Sequence, residues 1–253
     1  MTYRSIVLAF LRAFIVAATA LAAGCASTSY GPSADIQSIL STEDRMDSDR
    51  VIDQRRKSTL LYAYTGVRSG MKVLDIGAGG GYTTELMQRI VGPTGTVYSH
   101  DAPDQMQRIK DAYNIRAKRQ IMQHVVRLER PYDDPVSPDV TGIDVVTFFF
   151  SYHDMVHMGV DRAKMNRRIF AALKPGGVYV VADHSARPGD GANVTKSLHR
   201  IDEAFVRSEI ESVGFQFVGE GGFLRNPEDP RTESVFKPKV PNDEFVLKFR
   251  KPG

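Results

Sequence analysis

Residues 71–82, "MKVLDIGAGGGY", decide the fold. A short apolar run ends in an acid, Asp75, and breaks at once into Gly77, Ala78, Gly79, Gly80 and Gly81. Thr83 and Thr84 then open a helix-like stretch, "TTELMQRIV". Glycines between a strand and a helix remove side chains where a ligand must approach the backbone, and they adopt positive φ at low cost. The unit therefore predicts a nucleotide-binding turn. Asp101 supports it, because it lies twenty residues past Gly81, at the end of a second strand-like run, "TVYSH". An acid at that place grips a ribose diol.

Working outward, strand-like and helix-like segments alternate. Residues 44–64 read as one polar-faced helix ahead of the first strand. After the second strand come a helix over 104–118 and a short strand near "HVVRL". A Pro/Asp-rich loop, "RPYDDPVSPDVTG", leads to the fully apolar "IDVVTFFF". A helix over 161–173 precedes "VYVVAD", and a long helix is predicted from about Val194 to Val213. Two final strands, near "FQFVGEG" and "EFVLKFRK", have no helix between them. Apolar strands separated by helices predict a doubly wound α/β fold with a mostly parallel seven-stranded sheet, buried on both faces, and the closing pair predicts an antiparallel C-terminal edge.

Length and charge limit the alternatives. The 253 residues, 42% of them hydrophobic, suit one large domain. The formal charge of +3 drops to +1 once residues 1–24, which carry Arg4 and Arg12 and no acid, are set aside. No electrostatic footprint for nucleic acid remains, and zinc-spaced cysteines and solenoid repeats are absent from the sequence. The first 24 residues read as a signal peptide: two arginines precede "AFIVAATALAA", which is too short to span a bilayer. Residues 25–43 read as a linker and 44–253 as the functional domain. Cys25, the only cysteine, sits in "LAAGCAS", which resembles a bacterial lipoprotein cleavage site with Leu21 one place further out than usual. Export to the periplasm or outer membrane is expected, with lipid on Cys25 as the only membrane contact; cleavage after Ala22 and soluble export is the alternative.

The order of Asp75, Gly77, Gly79 and Gly81 is DxGxGxG rather than the GxGxxG of dinucleotide folds. It resembles the first motif of the class I S-adenosylmethionine-dependent methyltransferases. "GTVYSHDAPDQM" resembles that family's second strand and "ALKPGGVYVVAD" the stretch leading into its fifth. The resemblance covers about residues 44–253. It is nearest the ubiquinone/menaquinone type and a set of exported predicted methyltransferases sharing "YHD", "DHSA" and "LHRIDEA". It implies S-adenosylmethionine as cofactor and methyl transfer to a small molecule. It also implies that Gly77, Ala78, Gly79 and Gly81 line the methionine and ribose, that Asp75 orders the loop, and that Asp101 accepts from the ribose. For the adenine amine, Glu129 is the candidate, with Asp133 and Asp134 as alternatives.

Chemistry in such sheets sits beyond the carboxyl ends of the strands, where strand order reverses. Strand four runs into "SYHDMVH" and strand five into "DHSA", and all six histidines fall between positions 100 and 199. Methyl transfer to a hydroxyl needs alignment and removal of a proton, work suited to histidine near neutral pH. His153 is the predicted general base, Asp154 its orienting partner, and Tyr152 a lining of the cofactor side. His184 and His199 are further catalytic candidates, and His199 with Asp202 is read as one face of the long helix. The bland readings are helix capping by His153 or Asp154, a hydrogen-bonded turn at His184 and a solvated helix face at His199. No metal site is assigned. Asp183-His184 replaces the Asp-Asn pair of metal-dependent catechol-type enzymes, which disfavours magnesium and leaves zinc or iron as the competing reading. A cofactor-binding protein without catalysis is the alternative function.

Overall fold

The computed structural model describes residues 35–253. The signal-peptide and Cys25 expectations lie outside the described residues, as does most of the expected linker. In chain order the elements are α1 (Ile36–Leu40), α2 (Asp47–Arg55), α3 (Ser58–Thr65), β1 (Lys72–Ile76), α4 (Tyr82–Val91), β2 (Thr96–Asp101), α5 (Pro103–Ala117), β3 (Val125–Glu129), β4 (Ile143–Phe149), α6 (Asp154–His157), α7 (Arg162–Ala172), β5 (Leu173–His184), α8 (Thr195–Leu198), α9 (Glu203–Glu211), β6 (Gln216–Glu220) and β7 (Glu244–Arg250).

The seven strands form one sheet in the order β3-β2-β1-β4-β5-β7-β6. The first five run parallel, and β7 pairs antiparallel with both β5 and β6. Order reverses between β1 and β4, so the turns after these two strands open beside each other. Period-two alternation splits the core between the faces. Leu74, Ile76, Val146 and Phe148 face α7 and α9, whereas Val73, Val145 and Phe149 face α3 and α4. All seven residues of β4 are buried, as a central parallel strand requires. Among the described residues no helix is long and apolar enough to cross a membrane.

Three boundaries differ from expectation. The packed unit begins before residue 44: Asp35 caps α1, and Ile36 and Leu40 are buried against the α3–α4 side. Apolar burial overrides the tether-like composition just upstream. The expected helix over 44–64 is two helices, broken at Lys57 (φ 45). The break lets α3 bury Leu61 and Tyr62 against the sheet while α2 turns its buried Asp49 toward the glycine turn.

The expected helix from Val194 to Val213 is likewise interrupted. His199 is left-handed (φ 53), Ile201 bridges to Ser185, and Asp202 caps α9 through the Ala204 N–H. Arg200 explains the break. It is fully buried, and its guanidinium donates to Asp229, Asn242 and two backbone carbonyls, an arrangement that a continuous helix would pull apart.

Candidate active site

Asp75 organises the glycine turn from below. It is buried and accepts from Thr84 Oγ1 (2.6 Å) and Thr147 Oγ1 (3.0 Å), which joins β1 to α4 and β4. Burial pushes its carboxyl up to about 7 against the pull of both hydroxyls. Above it Gly79 (φ 57) is left-handed, and a Cβ there would point into open space, whereas one on Gly77 would press Phe148 at 3.1 Å. Ala78 N–H donates to the His100 carbonyl at 3.0 Å. A cleft of about 490 Å³ opens over the turn between α2 and the end of β4, bordered by Asp49, Arg56, Phe150 and Ser151. That volume suits a nucleoside-sized ligand.

Asp101 closes one end of the turn. It accepts from Gly79 N–H (3.2 Å) and Arg127 Nη2 (2.9 Å), and burial raises it to about 6 although Arg127 works the other way. The Tyr132 hydroxyl also bonds to it. Glu129 stands opposite Asp101 in the β2–β3 register, but it is exposed and lines a separate depression with Lys110 and Tyr113. Glu129 thus borders this depression, which it shares with Arg127, rather than the cleft over the glycine turn. Asp133 and Asp134 are engaged by Lys164 and Arg168. Arg127 and Tyr132, the actual partners of Asp101, carry no motif by which the sequence singles them out.

Tyr152 does not border the cleft either. Its ring is fully buried in the core beside Phe148, and its hydroxyl donates to Glu209 (3.0 Å) and accepts from Asn166 (2.9 Å). The chain reverses through Phe150, a bulky residue at φ 60, so the tyrosine turns away from the cleft. Phe150 itself borders the cleft, with the Arg56 guanidinium 4.5 Å from its ring centroid and the His184 ring 5.4 Å away on another side.

Beyond Phe150 the ends of β4 and β5 meet. His153 donates its backbone N–H to Asp183 Oδ2 (2.8 Å), and its Nδ1 lies 2.8 Å from Asp183 Oδ1. The orienting carboxylate is thus the fully buried Asp183, not Asp154. Asp154 instead faces the other ring nitrogen, with Oδ1 3.2 Å from His153 Nε2. His199, turned inward by its left-handed backbone, brings Nδ1 to 3.3 Å from the same Nε2 and 3.5 Å from Asp154 Oδ1. His157 Nε2 approaches Asp154 at 3.6 Å. Burial opposes charge on His153, but Asp183 and Asp154 outweigh it and raise the ring to about 10. Both ring nitrogens thus face partners: Nδ1 the Asp183 carboxylate, Nε2 the Asp154 carboxylate and the His199 ring. The His153 side chain is not spent on capping α6.

His184, at the end of β5 with its ring centroid 5.9 Å from that of His153, has Nδ1 3.0 Å from Glu244 Oε1 but off the line of an N–H hydrogen bond. It borders a second depression of about 700 Å³ with Arg55, Arg225, Phe236 and Glu244. The His199 ring packs edge-on to Phe236 at 4.6 Å, so the histidine cluster adjoins this depression.

Comparison with known proteins matches residues 67–213 to a family profile described as a methyltransferase domain. The chain is 34% identical over 124 residues to the ubiquinone/menaquinone biosynthesis C-methyltransferase of Burkholderia multivorans, covering 49% of this chain and 47% of that one. It is 31% identical over 120 residues to the demethylmenaquinone methyltransferase of Staphylococcus aureus, covering 47% and 46%. The chain thus spans about half the length of the curated relatives it matches. Among solved structures, a SAM dependent methyltransferase from Aquifex aeolicus superposes with a TM-score of 0.58 at 18% identity, over 86% of this chain and 99% of that one.

Proposed function

The chain belongs to the methyltransferase-domain family, with the class I S-adenosylmethionine-dependent fold and its cofactor, and from that premise we propose that it methylates a small molecule. S-adenosylmethionine lies over Gly77–Gly81, with its ribose toward Asp101. The acceptor occupies the depression beside His184 and Phe236. The acceptor's nucleophilic atom attacks the sulfonium methyl carbon, the carbon–sulfur bond breaks, and neutral S-adenosylhomocysteine leaves. A hydroxyl or thiol acceptor gives up its proton to the cluster of His153, His199 and Asp154. The histidine-base role thereby belongs to a group that Asp183 holds in place.

One observation carries this reading: the glycine turn after β1 and the histidine cluster after β4 open side by side at the reversal of strand order, where open α/β sheets bind ligands.

Gly79 provides the test. Its missing Cβ faces the open cleft, so Gly79→Arg fills the ligand's space. Calorimetry should give affinity for S-adenosylmethionine of roughly micromolar Kd, about −8 kcal/mol, in the wild type. The variant should keep a cooperative thermal transition and show no detectable heat of binding. Equal binding by both proteins would sink the cofactor assignment. Binding without production of S-adenosylhomocysteine across a panel of small hydroxyl and thiol acceptors would favour the non-catalytic alternative.

A further inference from the structure

The geometry points to a divalent metal site, suited first to zinc, formed by His153 Nε2, His199 Nδ1 and Asp154 Oδ1. These three atoms stand 3.2, 3.3 and 3.5 Å apart and converge from two segments far apart in the chain: the adjacent His153 and Asp154 at the start of α6, and His199 at the turn after α8. Ligands about 2.0–2.1 Å from a tetrahedral zinc are separated by about 3.3–3.4 Å. An octahedral ion at similar or slightly longer bond lengths would bring adjacent ligands to about 3.0 Å. The spacing therefore favours four-coordination. Two imidazoles and one carboxylate are a borderline nitrogen/oxygen donor set that suits zinc better than magnesium or calcium.

The surroundings have the form that supports a ligating histidine. A metal on His153 Nε2 requires the proton on Nδ1, and Asp183 Oδ1 lies 2.8 Å from that nitrogen to accept it. Asp183 is itself pinned, because it also accepts the backbone N–H groups of His153 and His184, each at 2.8 Å. His199 is a residue the sequence offered as a candidate, but on a segment read as continuous helix. Only its left-handed backbone, at the break forced by buried Arg200, directs Nδ1 toward His153. His157, 3.6 Å from Asp154, stands beside the site.

Three protein ligands leave a fourth position, the mark of a catalytic rather than a structural zinc. His199 packs against Phe236 on the rim of the second depression, so that position serves an acceptor bound there. With zinc bound these three atoms no longer accept a proton, so the metal takes over the role given above to the free cluster: an acceptor thiol or hydroxyl held by zinc loses its proton to solvent near neutral pH and presents its anion to the methyl carbon. This role rests on the methyl-transfer reading; the ion-binding claim does not.

The experiment separates the two. Full-length protein is treated with a chelator, dialysed and titrated with zinc by calorimetry, alongside His199→Ala, Asp154→Asn, Asp183→Asn and, as a distant control, His124→Ala. Expected results are one zinc per chain in the wild type and the control, a raised Tm on adding zinc, and loss of stoichiometric binding in His199→Ala and Asp154→Asn. Asp183→Asn should bind 10–100-fold more weakly. The cobalt(II) form should show the visible absorption of a four-coordinate ion. S-adenosylmethionine binding, measured on the same samples, should survive in every variant. Wild-type zinc binding no tighter than that of His199→Ala, or a six-coordinate cobalt spectrum, would overturn the site. Loss of S-adenosylmethionine binding with zinc binding intact would instead strike the proposed function.

Discussion

At the scale of single residues, burial sets the chemistry. His100 is fully buried at the end of β2, donates Nε2–H to the Arg130 carbonyl at 2.9 Å, and packs edge-on to Tyr132. Burial pushes its pKa down to about 4, with the Arg130 carbonyl opposing. Its folded pKa thus lies below its unfolded value near 6.5, so the unfolded chain takes up the proton first. The stability from neutral His100 is present above pH 6.5 and is lost as pH falls toward 4. Asp75, raised to about 7, and Asp101, raised to about 6, have the opposite sign: they weaken the fold as pH climbs from about 4 through those values. The informative quantity is therefore a difference between two proteins. Denaturant titrations of wild type and His100→Gln should diverge between pH 6.5 and 4, with the variant gaining by up to about 3 kcal/mol relative to wild type. Parallel curves would show that His100 does not titrate in that window.

At the scale of elements, the cleft over the glycine turn is held by one arginine that reaches across three helices. Arg116, on α5, donates Nε–H to the Gly80 carbonyl (2.8 Å), binds Asp49 of α2 through both terminal nitrogens (2.8 and 2.7 Å), and meets Glu85 of α4 at 2.6 Å. All three side chains are buried. Removing the guanidinium leaves Asp49 with a single distant partner, Arg45 at 3.8 Å, while Glu85 keeps Arg89 and Arg119. Arg116→Leu should cost about 3 kcal/mol, the lower end for breaking a buried ion pair. It should also weaken S-adenosylmethionine binding, because α2 then loses its tie to the glycine turn. Urea unfolding and calorimetry on the same variant test both effects; Arg116→Lys, which lacks the planar fork, should recover little of either.

At the scale of the whole molecule, the domain starts earlier than composition suggests. Ile36 and Leu40 of α1 pack on the α3–α4 side of the sheet, and the Arg45 guanidinium donates to the Leu40 carbonyl at 3.1 Å. Compared with a chain beginning at residue 35, one beginning at 44 loses two buried aliphatic side chains worth about 1.5–3 kcal/mol each. Equal midpoints in denaturant for the two truncations would show that α1 adds nothing. Alternating patterns made the sheet, its parallel order and its antiparallel edge legible from the sequence, since periodicity follows directly from which faces are buried. Helix continuity was not legible. Lys57 and His199 break helices because of what Asp49 and Arg200 reach far along the chain, and no local propensity reports that.

The site divides the same way. The DxGxGxG turn and Asp101 could be read in advance because backbone approach to a ligand demands glycine at fixed places and an acid at the next strand end. His153 and Asp154 could be located, since β4 had to end before them. How they meet their partners could not be read. Asp183 replaces Asp154 as the carboxylate behind His153, and His199 arrives from a segment read as helix. Tyr152 turns into the core, and Glu129 faces outward on the edge strand. The sequence by itself determined the fold and the glycine turn, because each depends on local periodicity and spacing, and it carried the family through the resemblance of its motifs. Only the tertiary structure decided which imidazoles and carboxylates converge, because convergence depends on strand order and on where a buried Arg200 breaks a helix.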